Sequence, residues 1–527
     1  MSLEFPQQFN MADYFLYHNV EKGRKNKICL YYEDETFTYG DAVKMSNRAG
    51  NALREMGVGI EDRVLICLPD CPGFVWAWFA TSKIGGVITM VNPLLTVDDY
   101  KYYLDYTRAK VVVIHEAQAE VFAEAVQGAR YLKSVLVVSE QSAIGNWQSA
   151  IKESSIPFIS FNELLEQMSD ELTPADTSKD DIAIWLFTSG STGKAKGAVH
   201  FHHDLPYNTE VFAKRTIGVS ENDLTVSVPK LFFGYATGTN LLFPFAVGGA
   251  TALFSERSTA EQMFSMIEKY RPTILTTVPT MINGMLNSES ATEKDLSCLR
   301  FCYSAGEALP AELYTRWKNT FGVEILDGIG SAEMFHIYIT NRLGDVKPGS
   351  LGRVVEGYEA RIIDADGNEV PTGEMGTLKI KGDSASLCYW GAHEKSKETF
   401  AGDWCTTGDQ FHKDEEGYFW YHGRTDDMLK VGGIFVAPAE IENCLLQHES
   451  VLECAVVGYT DNDRLIKSKA FIVLRESFTG DETLIKTLQD FVKSNLAPYK
   501  YPRFVEFIDA MPKNDRGKID RIQLKNR

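Results

Sequence analysis

The sequence predicts an α/β protein: a large N-terminal domain of two α/β subdomains plus a small β subdomain, and a smaller α+β C-terminal domain. Three observations lead there. Short β-branched runs alternate with helical stripes from Tyr39 to Pro279, the pattern of sheets with crossover helices. Between Gly349 and Tyr421 the texture changes to short strands with turn signals such as Asp364-Ala365-Asp366-Gly367-Asn368 and Asp414-Glu415-Glu416-Gly417. After Arg424-Thr425-Asp426-Asp427, about a hundred residues of compact α+β composition have the size of a separate domain. The expected domains are therefore residues 1–425 and 426–527.

Taken in order, Gly40 to Met56 places Ala42, Val43, Met45, Ala49, Ala52, Leu53 and Met56 on a helical stripe that stops at Gly57. Arg63 to Leu68 reads as a buried strand and Phe74 to Ile84 as a helix. Val111 to Ile114 and Ser134 to Val138 are β-branched runs bounded by polar residues. Ile182 to Phe187 is another apolar run. The second unit repeats the pattern, with Ala250 to Phe254 as strand, Ala260 to Tyr270 as helix, Thr273 to Val278 as strand and a helix from Pro279. In the C-terminal part, Pro438 to Leu446 and Leu484 to Leu496 read as helices, and Glu453 to Gly458 and Ala470 to Leu474 as strands.

Composition narrows the function classes. At 44% hydrophobic and 24% charged, a chain of 527 residues has ample core. Its 53 basic and 72 acidic residues leave a formal charge of −19, which argues against a general role on nucleic acid or anionic membrane. The nine cysteines are scattered; Cys67/Cys71 and Cys298/Cys302 lack the spacing of a zinc or redox pair and read as reduced thiols. The N-terminus has no basic region followed by an apolar stretch, and the most apolar window, Phe74 to Val91, is broken by Lys83 and Gly85-Gly86. No secretion signal or membrane span is expected, and the cytoplasm is the expected compartment.

The chemistry concentrates after the run Ile182 to Phe187. Thr188-Ser189-Gly190-Ser191-Thr192-Gly193-Lys194-Ala195-Lys196-Gly197 holds three glycines, four hydroxyls and two lysines. Glycine lets backbone N–H groups approach an anion while hydroxyls and lysines add donors and charge, so the loop suits phosphate as well as it suits ordinary mobile surface. It is not a Walker loop, because no Gly-Lys is followed by Ser or Thr. Lys230-Leu231-Phe232-Phe233-Gly234-Tyr235-Ala236 suits either a flat apolar cavity or plain core. Glu333 suits a hard divalent cation, which prefers carboxylate oxygen together with substrate phosphates. His200, His202 and His203 have no acidic or cysteine partner at ligand spacing, so no metal is assigned to them.

These stretches, with Ser304-Ala305-Gly306-Glu307-Ala308-Leu309-Pro310 and Asp327-Gly328-Ile329-Gly330-Ser331-Ala332-Glu333, resemble the acyl-adenylate-forming enzymes, which include acyl-CoA synthetases, peptide-synthetase adenylation domains and luciferases. Within that family the chain looks most like the benzoate-CoA ligases. The resemblance covers nearly the whole length, and several spaced motifs occur in the family's order.

The resemblance implies that Thr188, Ser189, Gly190, Ser191, Thr192, Gly193, Lys196, Gly306, Glu307, Asp327, Gly328, Ile329 and Gly330 bind the nucleotide. Glu333 would help hold Mg²⁺ on the ATP phosphates. Ala332 stands where the family's Tyr-Gly-x-Thr-Glu motif has Thr, a departure that bears on rate. Trp404-Cys405-Thr406-Thr407-Gly408-Asp409 matches the Gly-Trp-x-x-Thr-Gly-Asp motif, with Asp403 where Gly is common; Asp409 would bind the ribose diol and Arg424 the ribose or phosphate. Asp426 matches the hinge about which the family's C-terminal domain rotates. Pro512-Lys513-Asn514-Asp515-Arg516-Gly517-Lys518 matches the terminal motif, making Lys518 the catalytic lysine. Gly432 and Gly433 would line the CoA tunnel.

The acid pocket is expected from Phe233, Gly234, Tyr235, Ala305, Gly330 and His336, with Thr277-Val278-Pro279 as a further wall. Benzoate-CoA ligases often have Ala where this chain has Gly234, which predicts about a methyl group of extra room beside Tyr235 and tolerance of small ring substituents. The implied reaction is ATP-dependent ligation of an aromatic acid, benzoate or a simple analogue, to coenzyme A through acyl-AMP, with ATP, Mg²⁺ and coenzyme A as cofactors and cosubstrates. The competing readings are a ligase for alicyclic or medium-chain acids, an adenylation module loading a carrier protein, and a non-enzymatic nucleotide-binding protein. The second is disfavoured by a chain end nine residues after Lys518; only Ala332 encourages the third. No nucleic acid or membrane partner is expected. The resemblance admits a homodimer, and a lysine acetyltransferase acting on Lys518.

Overall fold

A computed structural model describes residues 3–139, 147–151, 154–188, 194–425, 428–431, 434–460, 466–497, 500–513 and 519–527. One sheet has eight strands, in the order Cys388–Tyr389, Lys196–Phe201, Ile182–Thr188, Val87–Met90, Arg63–Cys67, Val111–His115, Ser134–Val138 and Phe158–Ser160. From Ile182–Thr188 to Phe158–Ser160 every pairing is parallel. Strands covered on both faces need no polar alternation, which is why these read as unbroken apolar runs. Ile182–Thr188 also pairs antiparallel with Lys196–Phe201, so Thr188 and Lys196, the two ends of the glycine-rich stretch, lie opposite each other.

The second sheet has nine strands, in the order Arg353–Val354, Ile337–Thr340, Ile325–Gly330, Phe301–Ser304, Ile274–Thr277, Leu224–Ser227, Ala250–Leu253, Ile28–Tyr32 and Glu35–Thr38. The six from Ile325–Gly330 to Ile28–Tyr32 are parallel. Ile28–Tyr32 precedes the first unit in the chain yet completes the second sheet. The register sets Thr277 opposite Ser304 and Ser304 opposite Asp327, one polar row that lies at the C-terminal ends of the first two strands and midway along Ile325–Gly330. In open α/β sheets, ligands bind beyond such ends.

Helices join the two sheets. Tyr39–Glu55 starts at a capping box of Thr38 and Asp41 and buries Ala42, Ala49, Ala52 and Leu53. The helix Pro72–Lys83 that packs against it is buried on all sides, and its Phe79 stacks on Phe245 of the second unit at 5.7 Å between centroids. A helix apolar all round belongs in an interior of this kind.

The expected small β subdomain is a five-stranded sheet of Glu359–Ile363, Gly376–Lys381, Phe400–Ala401, Trp404–Lys413 and Phe419–Arg424. It is not self-contained. Arg353–Val354 and Cys388–Tyr389, from the same stretch, extend the second and first sheets respectively. Residues after 428 build a core of their own from Leu429, Val436, Ile441, Leu445, Val456, Ile472, Leu488 and Val492. There, Val451–Thr460 pairs antiparallel with Ile466–Leu474, and Phe504–Phe507 runs parallel to the latter. The first two strands outrun the predicted Glu453 to Gly458 and Ala470 to Leu474, because main-chain pairing continues past polar Lys467 and Lys469, which apolar patterning cannot report. Among the described residues no helix is long and apolar enough to cross a membrane.

Candidate active site

The residues expected around the acid gather at the polar row. Tyr235 is half-buried on the short helix Gly234–Thr237, and its hydroxyl points to the Thr277 carbonyl at 3.4 Å. Its ring centroid lies 5.4 Å from that of His336, which is 3% exposed and also flanked by Phe212 and Phe243. His336 Nε2 sits 3.0 Å from the Tyr235 carbonyl. A carbonyl only accepts, so Nε2 carries the hydrogen. Burial lowers the His336 pKa to about 4, leaving a neutral ring at pH 7. Ala305 is buried beside this row, and Asp327, 4% exposed, has its carboxyl pushed up to about 8 by burial.

Two glycines make the packing feasible. A Cβ at Gly330 would stand 2.4 Å from the His336 carbonyl oxygen, and one at Gly238 would stand 2.5 Å from the His336 ring. Gly234 departs from expectation. A Cβ there would meet the Leu186 methyls at 3.3 and 3.4 Å, so the room beside Gly234 is taken up by a side chain of the first sheet rather than left to the ring. The sequence could not show this because Leu186 arrives from the other subdomain. Phe233 packs on Phe232, with centroids 4.3 Å apart, and the segment before it is pinned by Asp70, which accepts the Leu231 N–H at 2.7 Å.

One turn from His336, the 3₁₀ segment Ala332–Met334 carries Glu333. The Tyr389 hydroxyl donates to Glu333 Oε1 at 2.6 Å. Lys196 Nζ lies 5.8 Å from the centroid of the same Tyr389 ring, which brings the end of the glycine-rich stretch beside Glu333. Asp409 is nearly buried. Burial, and secondarily the Glu333 charge, raise its pKa to about 6 against the lowering pull of Arg424, whose Nη1 is 3.3 Å from Asp409 Oδ1. Gly328 and Ile329 run along the strand between Asp327 and Gly330. Gly306 turns the chain after Phe301–Ser304 with φ +89°, and the Glu307 carboxylate accepts the Thr280 hydroxyl at 2.8 Å.

The histidine triplet requires a correction, since it does have an acidic partner. Asp204, the first residue of the helix Asp204–Asn208, puts Oδ2 2.8 Å from His200 Nδ1 and Oδ1 3.2 Å from His203 Nε2. The turn after Phe201 folds residue 204 back onto residue 200, a contact invisible to ligand-spacing rules. Tyr389, His200 and Asp204 are the site residues that sequence reasoning missed. The only signal for Tyr389 was an aromatic in the run Leu387-Cys388-Tyr389-Trp390. Ser189, Gly190, Ser191, Thr192, Gly193, Asp426, Gly432, Gly433 and Lys518 lie outside the described residues.

The arrangement therefore sets an aromatic, uncharged pair, Tyr235 and His336, near the Glu333 carboxylate, whose charge is felt at Asp409. Residues 16–390 match the AMP-binding enzyme family and residues 440–518 its C-terminal domain. Benzoate–CoA ligase of Thauera aromatica is 41% identical over 527 residues, covering 100% of this chain and 97% of that protein. A 4-hydroxybenzoate–CoA/benzoate–CoA ligase of Rhodopseudomonas palustris is 37% identical over 98% of this chain and 94% of its own. Among solved structures, the anthranilate CoA ligase AuaEII with anthranoyl-AMP superposes with a TM-score of 0.93 at 38% identity, covering 99% of this chain and 98% of that one. With a family match over most of its length and relatives this similar from end to end, the chain belongs to the AMP-binding enzymes.

Proposed function

We propose that the protein joins an aromatic carboxylic acid, benzoate or a simply substituted benzoate, to coenzyme A through an acyl-AMP intermediate, with release of AMP and pyrophosphate. The observation that carries this reading is the wall of Tyr235 and neutral His336 directly beside the Glu333 turn. A flat ring gains from apolar and aromatic contact, and an uncharged imidazole costs it nothing in desolvation against a fixed charge. Relatives whose names specify benzoate, hydroxybenzoate and anthranilate support the same substrate class.

A free carboxylate resists thiol attack because oxide would have to leave. In the first step the carboxylate oxygen attacks the α-phosphate in line and pyrophosphate departs, a transfer governed by charge control. Lys518 neutralises developing charge in this step, and the stretch Thr188 to Lys196 cradles the phosphates. Asp409 accepts from the ribose hydroxyls while Arg424 steadies its carboxylate. Glu333 fits a hard cation: a single carboxylate, oriented by the Tyr389 hydroxyl, suits a Mg²⁺ that draws its other oxygens from phosphates and water. Bound there, Mg²⁺ supplies charge neutralisation of the ATP phosphates. In the second step the thiol attacks the acyl carbonyl and AMP leaves, after rotation at Asp426 withdraws Lys518 and brings Gly432 and Gly433 to the thiol's path.

A panel of benzoate, ring-substituted benzoates, cyclohexane carboxylates and medium-chain acids, assayed for pyrophosphate release and for the thioester by mass spectrometry, tests the proposal. Benzoates are expected to be the best substrates; a higher kcat/KM for alicyclic or medium-chain acids would replace the substrate class, and adenylate without thioester would point to carrier loading.

A further inference from the structure

The Glu333 turn closes on its own main chain, with Phe335 N–H donating to Ala332 O at 3.4 Å and His336 N–H to Met334 O at 2.9 Å, and it is braced further by groups outside it. Phe335, which ends the turn, has φ +67° and ψ −58°, a conformation that an L-residue with a large side chain adopts only where its surroundings impose it. Each carbonyl of the turn also accepts from a donor outside it. The Ser386 N–H donates to Glu333 O at 2.8 Å and the Ser384 hydroxyl to Met334 O at 2.9 Å. The third is the His200 ring, whose Nε2 donates to Ala332 O at 2.7 Å. His200 and Asp204 are both 0% exposed, and Asp204 Oδ2 holds the far ring nitrogen at 2.8 Å while accepting the Phe201 N–H at 3.1 Å.

A buried imidazole on a strand facing an apolar interior is costly unless both nitrogens are engaged, and here both are. Residue 332 is alanine, so the turn has no side-chain hydroxyl of its own with which to fix itself at that point. We propose that His200, locked by Asp204, is a positioning residue for Glu333: it clamps the Ala332 carbonyl and so aims the Glu333 carboxylate at the metal-bound phosphates. This rests on the reading of Glu333 as the residue that holds Mg²⁺. A purely structural His200 would support folding without touching the metal-dependent part of nucleotide binding.

The test is calorimetric titration of ATP into the full chain, in excess Mg²⁺ and in EDTA, with the ratio of the two affinities as readout. Glu333→Gln serves as reference and should lose most of that ratio; if it does not, the metal reading of Glu333 fails independently of His200. His200→Asn keeps an amide near the Nδ1 position for Asp204 but nothing at Nε2, and should lower the ratio about tenfold, as loss of an outer-shell partner does. His200→Gln restores a donor near Nε2 and should return the ratio to within about twofold of the parent. A normal ratio in His200→Asn, or an equal loss in the Asn and Gln variants, overturns the proposal if Glu333→Gln behaves as expected. Should His200→Asn fail to fold, Asp204→Asn carries the test: a fall in the ratio supports the clamp, and an unchanged ratio overturns it.

Discussion

Asp327, proposed to face the nucleotide, has a carboxyl that burial raises from 3.8 to about 8. Between those values the folded state holds a proton that the unfolded state has released, so this group's contribution to stability falls as pH rises through the window from about 4 to 8. Asp327→Asn mimics the neutral acid and removes that linkage. Melting temperatures measured across pH 4 to 8 should therefore decline less steeply in Asp327→Asn than in the parent; parallel curves would show that Asp327 titrates normally. Gly234 gives a second residue-scale prediction. Gly234→Ala presses a methyl on Leu186, which lies two residues before Thr188 on the strand entering the glycine-rich stretch. The KM for ATP should rise, while discrimination against substituted rings should change by less than the roughly 1–3 kcal/mol that a methyl facing the ring would cause. Leu186→Ala in the same chain should bring the ATP KM back, and failure to do so would locate the effect in the backbone of residue 234. Glu333 and Asp409 could be put forward from the sequence because their neighbours form contiguous motifs. Tyr389, His200 and Asp204 could not, because each acts through a contact across distant segments or a folded-back turn.

At the scale of elements, the strand Ile325–Gly330 and its antiparallel partner Ile337–Thr340 carry the site between them, with a register shift at Ile329/Gly330. From the short connection between the two strands, Glu333 reaches the Tyr389 hydroxyl and His336 the Tyr235 carbonyl. The close approach of the His336 carbonyl requires glycine at 330. Gly330→Ala should cost about 1–3 kcal/mol in denaturant unfolding. It should also lower kcat/KM for acid and ATP together by about a hundredfold, the effect of an ångström's misplacement near the chemistry. Loss confined to one substrate would mean that the hairpin does not couple the two subsites. Helices such as Ala260–Tyr270 matched the sequence reading residue for residue, since period and caps are local. The β subdomain did not, because two of its short strands find partners in other sheets.

At the scale of the whole molecule, the two-step chemistry makes paired predictions about domain rotation. Lys518→Ala should abolish adenylate formation, by about a hundredfold or more, yet largely spare conversion of supplied benzoyl-AMP to benzoyl-CoA. Asp426→Pro should do the reverse, since fixing one dihedral obstructs rotation while the adenylating arrangement stays accessible. Half-reaction assays of both variants check this; equal losses in the two steps would remove Lys518 as a first-step residue, and normal thioester formation would remove Asp426 as the hinge. By itself, the sequence determined the element types, the order of the subdomains and the motifs around Glu333, Asp409 and Lys518, because each is written in residues close together along the chain. Only the tertiary structure decided that Ile28–Tyr32 completes the second sheet, that Leu186 occupies the space at Gly234, and that His200 and Tyr389 support Glu333. Such contacts are set by how two sheets and their shared helices pack, and close packing between remote segments leaves no periodic trace in either segment alone.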